Sequence, residues 1–143
     1  MYAVSEQCPN AYRNADDRPI ITGPRDTVGM FRNVFVPNRE SFVVVFLDTR
    51  HRAIDLPYVV SIGTLNASLV HPREVFREAI RRGAAAIICG HNHPSNSVKP
   101  SQDDIKLTRR LDSAGTLLGI TLLDHVIITD NDWLSLREAR EGF

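Results

Sequence analysis

The stretch His91-Asn92-His93-Pro94-Ser95-Asn96-Ser97-Val98-Lys99-Pro100-Ser101-Gln102-Asp103-Asp104 gathers imidazoles, hydroxyls and carboxylates into fourteen consecutive residues. Such a set suits a catalytic zinc ion. Three protein ligands of the His/His/carboxylate kind leave the fourth tetrahedral position for water, whereas structural zinc is closed by four protein atoms. Two histidines separated by one residue in extended backbone project to the same side, so His91 and His93 can reach one ion at about 2.0–2.1 Å. Cys8 and Cys89 are the only cysteines. They make no C-x-x-C pair, which argues against a thiolate-rich structural site.

The third ligand comes from the next helix start. Ser101 and Asp104 have the S-x-x-D spacing of a capping box, with Ser101 as N-cap, Asp104 at N3 and Pro100 just before. That structural reading and a ligand role are compatible, because the first turn delivers a carboxylate towards the preceding strand end. The positive helix terminus favours ionised Asp104 but repels a cation, so an anionic ligand is needed to hold zinc there. Asp103 is the second choice. Spacing does not identify a base that is not itself a ligand, and Glu40, Asp48, Asp55 and Glu74 all stand as acids that folding could bring to the site. Among the other histidines, His71-Pro72 and His51 read as turn elements, and His125 as a satisfied core residue or a partner to a ligand.

The elements that must position these groups follow from periodicity. Residues 1–21 are polar and aperiodic, and are expected to form a flexible arm ahead of a single domain over 22–143. Gly23-Pro24 starts a helix with Val28, Phe31 and Val34-Phe35 on its apolar side, ended by Pro37-Asn38. Phe42–Leu47 reads as a buried strand, and the turn Asp48-Thr49-Arg50-His51 makes it a hairpin with a second strand near 53–62. Pro57 puts that second strand at an edge or bulge. Pro72–Arg82 carries Val75, Phe76, Ala79 and Ile80 at helical spacing before Gly83. Ala84–Cys89 is a short internal strand, at whose end the metal motif begins. Ile105, Leu107, Leu111 and Ala114 define a helix closed by Gly115. Two strands, 116–123 and 125–129, and a short helix over 135–141 complete the pattern. Alternating strands and helices with hairpins near the ends imply an α/β layered fold on a mixed sheet.

Composition bounds the function. Seventeen basic and seventeen acidic residues cancel, so the chain lacks the field by which a general nucleic-acid binder attracts phosphates. Arg73, Arg77 and Arg81 form a helical stripe, but Glu74 and Glu78 interleave with it, as on a solvated face. No apolar run approaches the roughly 20 residues of a membrane span, and the N-terminus lacks a signal peptide's basic start and apolar stretch. A cytoplasmic protein with reduced thiols and no membrane partner is expected.

These motifs resemble the JAMM (MPN+) metalloprotease domain, whose pattern is an upstream Glu, then H-x-H-P, six residues, S, two residues and D. Here it is met by His91-x-His93-Pro94, six residues and Ser101-x-x-Asp104. Within that superfamily the chain is most similar to the RadC branch, through Gly63-Thr64-Leu65-Asn66-Ala67-Ser68, His71-Pro72-Arg73-Glu74, His91-Asn92-His93-Pro94-Ser95 and Asp124-His125, over about Asn38 to Ile128. The resemblance implies a three-layer α/β/α fold of cytidine-deaminase-like architecture. It implies Zn2+ on His91, His93 and Asp104, Ser101 stabilising an oxyanion, and Glu40 as the general acid/base. The implied reaction is hydrolysis of an amide or isopeptide bond in a peptide or protein substrate. The RadC name suggests a rival reading, a factor of DNA repair or recombination such as a metal-dependent nuclease. Neutral charge does not support that reading, and the N-terminal arm is too short for the helix-hairpin-helix region that many RadC proteins carry.

Overall fold

In the computed structural model, which describes residues 17–63 and 70–143, three helices enclose one five-stranded sheet. The elements are α1 (Pro24–Arg32), β1 (Ser41–Leu47), β2 (Tyr58–Ile62), α2 (Pro72–Arg81), β3 (Ala86–Asn92), α3 (Gln102–Leu118), β4 (Thr121–Ile128) and β5 (Trp133–Ser135). The strand order is β2-β1-β3-β4-β5. Only β3 and β4 run parallel, and α3 is the crossover that parallel neighbours require. β1 and β3 are buried throughout except at Asn92, so both read as continuous apolar runs.

Alternation along the strands divides the core in two. Val43, Val45, Ala86, Ile88, Val126 and Ile128 pack with Val28 and Phe31 of α1. On the opposite face Phe42, Val44, Phe46, Ile87, Cys89 and Leu122 pack with Val75, Phe76 and Ala79 of α2 and Leu107 and Leu111 of α3. The result is the expected three-layer α/β/α arrangement with a mixed sheet. Gly90 lets α1 approach β3, since a Cβ there would lie 2.6 Å from the fully buried Phe31 ring.

Several boundaries differ from the sequence reading. Residues 1–16 of the expected arm lie outside the described residues, as do 64–69, which take in all of the Gly63–Ser68 motif after Gly63. The end of that arm belongs to the fold: Ile20 bridges Arg52, and Ile21 is buried and donates its amide to the His51 carbonyl at 2.9 Å. α1 stops at Arg32, although Val34 and Phe35 still pack against its core. β2 begins at Tyr58, directly after Pro57, and is an edge strand. β3 does not end before the histidines but runs through His91 to Asn92.

α3 continues past Gly115 to Leu118 and ends at Gly119, which takes the left-handed conformation that favours glycine (φ 73°). Gly115 serves a different purpose, because a Cβ there would lie 2.3 Å from the Ile120 carbonyl oxygen. The two strands expected over 116–129 are one strand, β4, and residues 136–140 form turns rather than a helix.

The basic stripe is only partly a solvated face. Glu78 is buried and gathers Arg82 at 2.7 Å, Arg81 at 3.1 Å and Arg77 at 3.6 Å. The Arg82 guanidinium also stacks over Phe46 and Tyr58. Among the described residues, no helix is long and apolar enough to cross a membrane.

Candidate metal centre

His91 leaves the centre of the sheet on the α3 side, where it is 2% exposed. His93 lies just beyond the strand end, its amide donating to the Ile128 carbonyl at 3.0 Å. Asp104 enters from the first turn of α3. The capping box forms: Asp104 N donates to Ser101 Oγ at 3.0 Å, and Ser101 N donates to Asp104 Oδ2 at 2.8 Å. His91 Nε2 and His93 Nε2 stand 2.7 Å apart, and each is 3.2 Å from an Asp104 carboxylate oxygen. Ligands at 2.0–2.1 Å around a tetrahedral ion would be about 3.3 Å apart, so this triangle is close to the required size. Among the described residues, His91, His93 and Asp104 are the one group whose ligand atoms converge closely enough to hold a metal ion.

The hydrogen-bond chain behind His91 fixes which nitrogen faces the cluster. Thr108 Oγ1 donates its single proton to the Asp104 carbonyl at 2.8 Å, four residues back along α3. It can therefore only accept from His125 Nδ1, 2.7 Å away. With its proton on Nδ1, neutral His125 presents an Nε2 lone pair, which accepts from His91 Nδ1–H at 2.9 Å. The His91 Nε2 lone pair is thereby aimed at the cluster. His93 is set the same way, with Nδ1–H donating to the Ser97 carbonyl at 2.8 Å. Two lone pairs facing each other beside a carboxylate repel unless a cation lies between them, and this donor chemistry fits zinc.

The pKa directions show that a proton on these nitrogens competes for the place a cation would take. Burial, reinforced by the neighbouring His91, drives the His125 pKa down to about 3, so it stays neutral. Burial opposes charge on His93, yet the Asp104 carboxylate, the Ser97 carbonyl and the Glu40 charge carry its pKa above the ordinary imidazole value. Asp104, despite its burial, is held well below the usual carboxylate range by the two imidazoles and the Ser101 amide.

Glu40 is half-buried immediately before β1. It lines the same cleft as His91, His93, Ser101, Asp103 and Asp104, a space of about 540 Å³. Asp48, Asp55 and Glu74 do not line it. Asp48 instead organises the turn after β1, accepting from the Arg50 and Arg52 amides and from Arg18. Ser101 keeps its hydroxyl hydrogen, because its oxygen serves Asp104 N as an acceptor. Asp103 lines the cleft but does not join the cluster. His71 is the N-cap of α2 without a side-chain capping bond, and His51 sits at φ 59° in an exposed turn. Cys89 is fully buried, and burial pushes its thiol pKa strongly upward.

His125 carries more of the site than its sequence context suggests, and Thr108 was not singled out at all. The signal for Thr108 was its place four residues after Asp104, on the same helical face. For His125 the cause is a bulge in β4. Leu123 and Asp124 together oppose Ile88, so the alternation shifts by one and His125 lands opposite Cys89, on the same sheet face as His91. The Asp124 carboxylate fixes this irregularity by accepting from its neighbour's amide (His125 N, 2.7 Å), Ser135 Oγ (2.6 Å) and Arg137 N (3.2 Å).

Residues 21–142 match the family model described as the RadC-like JAB domain. Similar proteins include a UPF0758 protein of Moorella thermoacetica, 50% identical over 85% of this chain and 53% of its own length. Those of Bacillus licheniformis (48% identical, 85% and 54%) and Geobacillus kaustophilus (47% identical, 85% and 54%) are alike in extent. The chain spans about half the length of the curated relatives it matches. The fold, the convergent His-His-Asp cluster and these matches agree that the chain belongs to the RadC-like JAB domain family.

Proposed function

We propose that this domain is a zinc-dependent hydrolase that cuts amide bonds, as a peptidase or isopeptidase acting in the cytoplasm. The observation that carries the proposal is the aim of two imidazole lone pairs and one carboxylate at a single point in a cleft that Glu40 also lines. His91, His93 and Asp104 would hold the ion. Bound zinc would supply Lewis acidity, lowering the pKa of water towards about 7 and polarising a carbonyl.

The chain's own residues supply the remainder. The Glu40 carboxylate lines the cleft without joining the His-His-Asp cluster, and it would accept a proton from the attacking water and return it to the departing amine. The Ser101 hydroxyl donates to the oxygen on which negative charge develops. His91 and His93 keep their Nδ1 protons engaged with His125 and Ser97, which reserves both Nε2 atoms for the ion. A nuclease reading draws no support from the cleft, where Glu40, Asp103, Asp104, Lys99 and a bound zinc ion would sum to zero charge and give a phosphodiester no net attraction.

The test is zinc content and turnover measured on one preparation of wild type and Glu40→Gln, against a screened panel of peptides and isopeptide-linked conjugates. The variant should keep about one zinc per chain while hydrolysis falls roughly 10²–10⁴-fold, the usual range for acid–base assistance. Full activity in zinc-loaded Glu40→Gln would overturn the mechanism.

A further inference from the structure

A pocket of about 280 Å³ lies beside the metal cleft and shares His93 with it as a common wall. A depression of about 390 Å³ lined by Asn38, Arg39, Glu40, Gly63 and Pro94 lies between them, holding Glu40 in common with the cleft and Asn38 and Pro94 with the pocket. The pocket's apolar lining is Phe35, Val36, Pro37, Pro94 and Ile128.

Its polar lining is largely committed elsewhere. The Asn92 amide accepts from Ser41 N and donates to the Arg39 carbonyl, each at 2.7 Å. The Thr129 hydroxyl exchanges bonds with Asp132, donating to its carbonyl at 3.3 Å and accepting from its amide at 3.1 Å. Arg32 gives a terminal nitrogen to the Thr129 carbonyl at 2.9 Å. Exposed Arg32 and Asp130 contribute one charge of each sign. A charged guest finds no net opposite charge here. A polar guest finds few open partners, whereas an apolar one gains by leaving water.

We propose that this pocket receives an uncharged apolar side chain of the substrate, on the residue next to the bond that is cut. The proposal rests on the metallohydrolase reading and names the substrate class for that site. Continuity carries it: a chain held at the metal passes Glu40 and Pro94 along the shared depression, and its neighbouring side chain meets the pocket across His93.

The test uses two metal chelators that share a binding group and differ only in an apolar tail, acetohydroxamate and 4-methylpentanohydroxamate, titrated into zinc-loaded protein by calorimetry. Burying the tail should make the longer compound bind at least about tenfold more tightly. Val36→Asp charges the pocket and Val36→Trp fills it. In both variants the preference should fall below about twofold, while zinc content and acetohydroxamate affinity stay at wild-type values. The tryptophan variant keeps the test open should the aspartate one fail to fold. Equal affinities in wild type would overturn the pocket assignment and leave the metal reading standing. A preference that survives in the variants would overturn it as well. If neither hydroxamate bound the zinc-loaded protein, the metal reading and the pocket would fall together.

Discussion

Replacing His125 by Phe keeps a ring of similar size in the buried position but removes both nitrogens of the chain that runs from Thr108 to His91. His91 Nδ1–H then faces a buried site with no acceptor, at a cost of about 1–3 kcal/mol. Its proton can move to Nε2, where the Asp104 carboxylate 3.2 Å away would accept it. An ion must then displace that proton before His91 can serve as a ligand. Loss of such a supporting partner weakens metal affinity by roughly 10–100-fold, or about 1.4–2.7 kcal/mol, which matches the desolvation argument. Competition with a chromophoric zinc chelator measures the affinity, and nitrogen NMR of the His91 ring reports the tautomer directly. His125→Gln, which retains a donor and an acceptor, should recover part of the loss, and Thr108→Val should cost less than His125→Phe. A folded His125→Phe protein with zinc affinity within about twofold of wild type and an unchanged His91 tautomer would refute the reasoning.

His91→Ala and Asp104→Ala should each abolish stoichiometric zinc, read by elemental analysis, because two remaining ligands seldom hold the ion firmly; near-normal zinc in both would reject the ligand set. Cys89→Ser should leave zinc content unchanged, since the buried thiol is held protonated and lies outside the cluster. Gly90→Ala should destabilise by about 1–3 kcal/mol in urea denaturation, the usual cost of overpacking, because its methyl meets the fully buried Phe31 ring; unchanged stability would mean that α1 shifts freely. At Asp48, burial raises the carboxyl pKa, but the Arg52 and Arg50 amides and Arg18 outweigh it and bring the value below the ordinary one. The resulting stability is present above the unfolded value of about 3.9 and is lost as pH falls through the lower folded value. Asp48→Asn should therefore lower stability at neutral pH and flatten the acid limb, and an acid limb identical to wild type would count against the turn assignment.

The metal cluster was legible because its signals are local. His91, His93, Ser101 and Asp104 fall within one strand end and one helix start, and the capping spacing that suggested the helix also points the carboxylate. The place of Glu40 on the wall of the cleft was legible only through the family pattern, since no local rule ties a residue before β1 to a loop fifty residues later. The bulge at Leu123-Asp124 hid β4. It breaks the two-residue alternation, so one strand read as two, and the residue it re-aims, His125, read as ordinary core. Gly115 misled for a related reason, because a glycine chosen for close approach to Ile120 looks in sequence like one chosen to stop a helix. The end of α1 was obscured by Val34 and Phe35, which keep packing against the same core after the helical hydrogen bonds have ended.

The capping box has a further consequence for how the ion would come and go. Asp104 is held by the Ser101 amide, His93 by the Ser97 carbonyl and His91 by His125, all partners that an arriving metal would leave in place. In zinc fingers the metal organises the polypeptide, and its removal dissolves the fold. Here the scaffold would hold the geometry by itself, and an ion would be exchangeable, taken up and surrendered by a chain that stays folded.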